Sequence, residues 1–477
     1  MEQQKLSGKS KLSYALGAVG KDMVYMLSAS YVLYYFQDLL GVEAWIMGVI
    51  LLVARVFDAF NDPIMGVIVA KTKTRWGKFR PWLMIGTVTN AVILYLMFAA
   101  PPAMDARGLV AYAAVFYILW GVTYTMMDIP YWSMIPAFTQ GGKERENLTT
   151  LARTSAGVGS AIITIVTMKL VPMLGRAFAG ENAGAQTVEI VGFKYFAAIV
   201  GALFILFIAL TCANIKEKST AEMKTASVGQ MFKALVQNDQ AMTVTIAIVL
   251  INTAVYITSN LVIYFFKYDF GTTGWNDAYV LFNMFGGAIQ VLSMMLFYPL
   301  LRKKFSSLQI FYICIGMAVA GYAVLLALAF TNMSNVFLLF IPGFFIFAAN
   351  GMLTVITTVF LANTVDYGEL KNHRRDESVI FSMQTFVVKL ASGIAALAAS
   401  ICLSINHLQS GTEVSEADAA VDWSLGVSAA AKTGLRMTMT VIPIIGLIIA
   451  FFWFKKKFIL TDKKVEEIAQ QVKKLHE

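Results

Sequence analysis

Charge is scarce in this chain of 477 residues: Asp, Glu, Lys and Arg make up 14%, against about a quarter in ordinary soluble proteins. That deficit excludes a large soluble domain. Histidine is rarer still, with only His373, His407 and His476. An enzyme needs a nucleophile with its base, or a metal cluster, and three histidines in loops and tail supply neither. No catalytic residue and no cofactor are therefore expected. The three cysteines, Cys212, Cys314 and Cys402, lie far apart on apolar stretches, which excludes a disulfide scaffold and a CxxC site. The net charge of +9 is not a nucleic-acid signal, because the basic residues gather at the ends of apolar runs and not on one soluble face. A sensor would carry a soluble output domain, and the tail TDKKVEEIAQQVKKLHE is too short for one, though long enough for a surface helix.

What the chain does have is apolar length. Hydrophobic residues make up 58%, mean hydropathy is +0.67, and a helical span needs about 20 apolar residues. Apolar windows fall at 12–40, 44–70, 82–101, 108–138, 148–174, 193–214, 241–268, 275–301, 309–331, 336–365, 378–404 and 435–455. The first follows basic residues, as in a signal peptide, but runs on without a cleavage site and is expected to stay as a span. Lys and Arg number 27 in the terminal segments and alternate loops, against 7 on the opposite side, which predicts both termini in the cytoplasm. The polar stretch 216–240, with an amphipathic segment around Met231 to Val236, separates two halves. IPAFTQGGKEREN (135–147) and LANTVDYGELKNHRRDES (361–378) each close one span with mixed charge and open the next. Such parallel repetition marks major-facilitator halves, whose solute site lies between them near the midplane. The expected architecture is all-α and membrane-embedded: twelve transmembrane helices in two pseudo-symmetric six-helix bundles, 1–215 and 241–460, with a cytoplasmic tail over 461–477.

Eight ionisable residues fall inside apolar windows: Lys21, Asp22, Arg55, Asp58, Asp62, Asp128, Arg153 and Lys389. Each costs about 2.5–3.5 kcal/mol at the bilayer centre on insertion scales, so such residues pair with one another or line a cavity. In VARVFDAFNDPIMG, the residues Arg55, Asp58, Asn61 and Asp62 share one helical face. Two carboxylates and an amide oxygen on adjacent turns suit a small cation; a structural ion-pair network is the other reading. Pro63 frees a backbone carbonyl nearby. In GVTYTMMDIPYWSMIP, Tyr124 and Asp128 are four apart, while Thr125, Asp128 and Trp132 follow at three and seven. A carboxylate beside aromatic planes fits a sugar ring, whose edges are polar and whose faces are rich in C–H. In FSMQTFVVKLASG, Gln384 and Thr385 offer hydrogen bonds, and Lys389 is placed to neutralise a carboxylate when the cation is absent, or to form a static ion pair.

At these residues the sequence resembles the glycoside-pentoside-hexuronide:cation symporter family, within it the melibiose permeases most closely. The stretches are KLSYALGAVGKD, LVARVFDAFNDPIMG, RWGKFRPW, ILWGVTYTMMDIPYWSMIP, NTVDYGE and MQTFVVK. The resemblance implies a twelve-helix carrier running sugar and cation together by alternating access. It implies that Asp58, Asn61, Asp62 and Thr125 hold the cation, with Asp58 and Asp62 as the carboxylates for Na⁺ or Li⁺. It implies that Lys21, Asp22, Tyr124, Asp128, Trp132, Arg153, Gln384, Thr385 and Lys389 face the sugar. Two departures stand out: Thr354 where melibiose permeases place a tryptophan, and Asn363 where the family has aspartate. They leave a sugar class and not a named sugar. Glu144, Glu146, Asp366, Arg374, Arg375 and Glu377 are candidates for an inner gate, or are simply solvated loop charges. A monomer in the inner membrane is expected, with lipid, a sugar and a monovalent cation (Na⁺, Li⁺ or H⁺) as its partners; coupling to H⁺ alone, or an uncoupled facilitator, is the alternative.

Overall fold

A computed structural model describes residues 6–101, 104–139, 142–180, 182–217, 236–270, 275–331, 335–372, 377–408 and 422–476, and among these residues every regular element is helical. Each apolar window of the sequence coincides with a helix. The first half of the chain forms α1 (Gly8–Tyr34), α2 (Ala44–Lys71), α3 (Arg80–Met97), α4 (Ala106–Phe138), α5 (Gly142–Ala179) and α6 (Ala185–Asn214). The second half forms α7 (Asp239–Phe265), α8 (Trp275–Leu292), the short α9 (Tyr298–Arg302), α10 (Ser307–Ala329), α11 (Val336–Asn372), α12 (Glu377–Ile405), α13 (Ala429–Lys457) and α14 (Asp462–His476). Eight of the described helical stretches are long and apolar enough to cross a membrane; a ninth results if Gly142–Thr167 and Lys169–Ala179, bent by 53°, are one span. The tail expected as a surface helix is helical, as α14. The amphipathic segment expected around Met231 lies, up to Leu235, outside the described residues.

Helix starts follow local chemistry. Ser7 opens α1 by accepting from the Ser10 amide, Asp105 opens α4 by accepting from Gly108, and Ser306 with Gln309 forms a capping box on α10. The start of α3 is held differently. The carboxylate of Glu217, just past the end of α6, accepts from the amides of Lys78, Phe79 and Arg80 at 2.6, 3.0 and 3.0 Å. An anion at a helix N-terminus meets both unpaired N–H groups and the positive end of the dipole. Gly77 makes room for it: its φ is +106°, and a Cβ there would sit 2.5 Å from the Glu217 carboxylate.

The chain divides into two compact units. One contains residues 1–238, 362–386 and 466–477, the other 239–361 and 387–465. In the first, α1 packs on α5 and α6, α3 on α4 and α6, and α2 on α4. In the second, α13 packs on α7 and on α10. Close crossings in the first unit depend on glycine, as expected where lipid supplies no hydrophobic drive and helices associate through packing of small residues. A Cβ on Gly159 of α5 would lie 2.4 Å from the Val19 carbonyl of α1, and one on Gly86 of α3 would lie 2.8 Å from the Met127 amide nitrogen of α4. Gly159→Val should cost about 1–3 kcal/mol through overpacking, whereas Gly48→Val, at a position with nothing within 4 Å, should be nearly neutral. Thermal midpoints of the two purified variants would check this.

Candidate functional site

The site grows from α1 and α4. Tyr14 and Tyr131 stack with ring centroids 4.4 Å apart and planes within 8°, and each hydroxyl donates to the other's backbone carbonyl. That reciprocal clamp fixes the register of the two helices. Lys21 lies two turns beyond Tyr14, and Asp128 one turn before Tyr131, so the clamp sets lysine against aspartate. The Lys21 ammonium stands 2.8 Å from Asp128 and 2.9 Å from Asp22, and donates to the Tyr124 hydroxyl at 3.2 Å. It also lies 5.1 Å from the Trp132 ring centroid. Lys21 is only 4% exposed, so its charge is stabilised by these carboxylates and ring faces and not by water.

Trp132 closes the cluster. Its indole N–H donates to Asp128 at 3.1 Å, and the Arg153 guanidinium from α5 lies 3.8 Å from its ring centroid. The structure thus brings Lys21, Asp22, Tyr124, Asp128, Trp132 and Arg153 together, with two cations against two anions. Arg153 thus covers one face of the indole, and the indole edge meets the Asp128 carboxylate.

One turn toward the N-terminus of α4, Thr125 donates to the buried Asp62 of α2 at 2.9 Å. Asp58 lies against Gly121, where a Cβ would sit 2.6 Å from its Oδ1. Asp58 and Asp62 therefore meet α4 at positions four residues apart, as their own spacing requires. Asn61 is half-buried, and its Nδ2 makes no hydrogen bond among the described residues. The helix continues through Pro63, which has no N–H to offer the carbonyl of residue 59. The side chain of Arg55 is outside the described residues.

The remaining candidates are more dispersed. Gln384 is buried on α12 in the first unit, and Thr385 turns its hydroxyl back to the Phe381 carbonyl at 3.2 Å. Lys389 belongs to the second unit. Thr354, also in the second unit, turns its hydroxyl onto the Asn350 carbonyl at 2.9 Å.

Of the gate candidates, Asp366 and Glu377 are buried partners of basic groups, and Glu144 accepts the Leu6 amide at 2.7 Å. Glu146 is buried on α5; Arg374 and Arg375 lie outside the described residues. The central residue is one that the sequence reading passed over. Arg145, 1% exposed, pairs with Asp366 at 2.7 Å and donates to the Ala362 carbonyl, Thr139 and Asn363 at 3.1, 3.0 and 3.5 Å. Lys78 reaches Glu377 at 3.4 Å. All of these residues belong to the first unit. Tyr14, Tyr131 and Glu217 were also missed; the signal for the tyrosines was their helical spacing from Lys21 and Asp128.

The chain matches the family described as MFS/sugar transport protein over residues 13–459. It is 27% identical over 476 residues to the lactose permease of Lactobacillus delbrueckii subsp. bulgaricus, covering 97% of this chain and 72% of that one. It is 26% identical over 471 residues to the putative glycoside/cation symporter YagG of Escherichia coli strain K12, covering 98% and 95%. The solved structure of the E. coli fucose:proton symporter FucP matches with a TM-score of 0.65 at 14% identity, over 95% of this chain and 98% of that one; this likeness concerns the fold.

Arg145→Gln should destabilise the protein by about 3–5 kcal/mol, because it removes one buried charge of the Arg145–Asp366 pair. Adding Asp366→Asn should recover a substantial part of that loss. Thermal midpoints of the two single variants and the double variant, compared as a cycle, would expose an uncoupled pair as simple additivity.

Proposed function

Because the chain belongs to the MFS/sugar transport protein family, we propose that it is a secondary carrier moving a sugar or glycoside together with a monovalent cation. It is a membrane transporter and not an enzyme. The observation that carries the reading is the spacing on α4. Thr125, bonded to Asp62, precedes Asp128, bonded to Lys21, by three residues, so the cation and sugar groups share one turn of one helix.

In this reading Asp58, Asn61, Asp62 and Thr125 hold the cation, with the two carboxylates supplying the charge and the Asn61 and Thr125 oxygens the remaining ligands. Lys21, Asp22, Tyr124, Asp128, Trp132 and Arg153 hold the sugar: the carboxylates accept from its hydroxyls, the cations donate to them, and Trp132 stacks on its C–H face. Gln384, Thr385 and Lys389 are the remaining sugar residues of this reading, and Lys389 neutralises a carboxylate when the cation leaves. A cation that enters the Asp58/Asp62 cage offsets part of their charge and releases Lys389 or Asp128 from its ion pair, which preorganises the sugar site. Coupling of this kind is reciprocal, since each ligand raises the other's affinity by the same factor.

The carrier has twelve spans in two six-helix halves, 1–215 and 241–460, with both termini and the stretch 216–240 in the cytoplasm. It works as a monomer in the inner membrane. Glu144, Glu146, Asp366, Arg374, Arg375 and Glu377, with Arg145 and Lys78 as partners of Asp366 and Glu377, form the inner gate, whose salt bridges exchange once in each cycle. Support comes from the 27-to-7 distribution of Lys and Arg, from the burial of Arg145 and Glu377, and from relatives named as a lactose permease and a glycoside/cation symporter.

Adding Na⁺ or Li⁺ to purified protein should raise its affinity for the transported sugar, and Asp58→Cys should abolish the gain. Sugar affinity that ignores the cation in the unmodified protein would remove this site from the mechanism. Uptake into vesicles with Na⁺ varied at fixed pH should follow the Na⁺ gradient; a rate set by pH alone would assign the coupling to H⁺.

A further inference from the structure

Glu217 does more than open α3. It stands where the chain leaves α6 for the polar stretch 216–240, and its carboxylate accepts from the amides of Lys78, Phe79 and Arg80. A helix cap ordinarily takes amides from inside the first turn. Here two of the three donors, Lys78 and Phe79, precede Arg80, the first residue of α3, so the contact holds the loop and not only the helix. That loop needs holding. Gly77 has a φ of +106°, a conformation that glycine alone visits routinely. Just before it, the Thr74 hydroxyl donates to the Gly77 carbonyl at 2.8 Å and accepts from the Trp76 amide at 3.1 Å. The threonine fixes the turn up to Gly77, and Glu217 fixes the residues that follow.

The side chain of Lys78 leaves this loop toward a second acid. Its ammonium lies 3.4 Å from Glu377, in the first turn of α12, and 5.0 Å from the Phe79 ring centroid. Two residues further on, Val379 joins Val67 and Ala70 of α2 in one buried cluster, and a Cβ on Gly66 of α2 would collide with Ser382. The start of α12 is therefore packed on α2 and tethered by Lys78. All of these residues belong to the first unit. An ion pair made by a long, flexible lysine stem gains little unless something else orders that stem. Fixing the backbone at residue 78 removes part of the ordering cost from the pair, so one acid, Glu217, acts through Lys78 on another, Glu377.

We propose that Glu217 is a positioning residue: it presets Lys78 for Glu377, and so makes the stretch that joins the two halves take part in the gate. This rests on the reading above that the Lys78–Glu377 bridge belongs to the inner gate. Breaking the Glu217 contact frees Lys78, loosens its hold on Glu377 and lets the start of α12 leave α2.

The test uses the full chain in lipid nanodiscs, with Val379→Cys as a reporter and the chain lacking that substitution as the blank for the native cysteines. Alkylation of the reporter thiol by a water-soluble maleimide measures how often the start of α12 leaves α2. Lys78→Met and Glu377→Gln should each raise the rate about threefold, a factor in the range of a partly buried ion pair. Glu217→Gln leaves one acceptor oxygen and sets an amide N–H₂ against the backbone donors. It should match that rise, and Lys78→Met should add nothing further once Glu217→Gln is present. Gly77→Ala keeps every charge but crowds the carboxylate; it should act as Glu217→Gln does, and it covers the case in which that variant does not fold. A carboxylate that only stabilises α3 would leave the Lys78→Met effect intact in the Glu217→Gln background, and that result overturns the proposal, as does an unchanged rate in folded Glu217→Gln protein. If instead Lys78→Met and Glu377→Gln leave alkylation at the parental rate, the gate reading of that pair fails and takes this proposal with it, a pattern distinct from the first.

Discussion

An ammonium group held between two carboxylates in a low-dielectric bundle is the constraint around which the first unit is built. Lys21 cannot keep its charge there without Asp22 and Asp128, and neither carboxylate can keep its own without a cation nearby. The three charges therefore hold one another in place. Arg153, stacked on Trp132, balances the sum. Hydrogen bonds to charged groups are geometrically demanding, and this explains why so much nearby structure concerns register. The reciprocal tyrosine clamp fixes α1 against α4, and the Gly159 contact allows α5 to approach α1 closely enough for Arg153 to reach the indole.

The same logic recurs at the gate candidates in a different form. Arg145 is almost wholly buried, yet its guanidinium makes four contacts: a carboxylate, a backbone carbonyl, a hydroxyl and an amide oxygen. The planar fork of arginine suits such multiple acceptors as the ammonium of lysine does not. Asn363, which stands where the related family carries aspartate, still supplies an oxygen to Arg145 but no charge. The substitution leaves a single carboxylate, Asp366, facing the arginine. The pair is then closer to neutral than two carboxylates against one cation would be.

Much of the first unit was legible in the sequence because helical periodicity is a local rule. Residues four apart share a face, so the Asp58 and Asp62 ladder, and Tyr124, Thr125, Asp128 and Trp132 on one helix, could be read without coordinates. The partners across helices could not. That Asp62 meets Thr125, and Asp58 meets Gly121, depends on how α2 crosses α4, and a glycine carries no signal of what lies against it. Arg145 was hidden for another reason: in GGKEREN it stands in a run of charge that reads as solvated loop, and only the fold buries it. Glu217 was invisible likewise, because its partners are backbone amides, which every residue has.

The closeness of Thr125 to Asp128 bears on how such a protein can change. About 4.5 Å of helix rise separates residues three apart, so a substitution on α4 that reshapes the sugar face also shifts the backbone carrying the Asp62 contact. Under the proposed assignment, selection for a new sugar and selection for a new cation would act on the same few atoms. Residues that are a full helix away, on α8 and α11, are free of that tie.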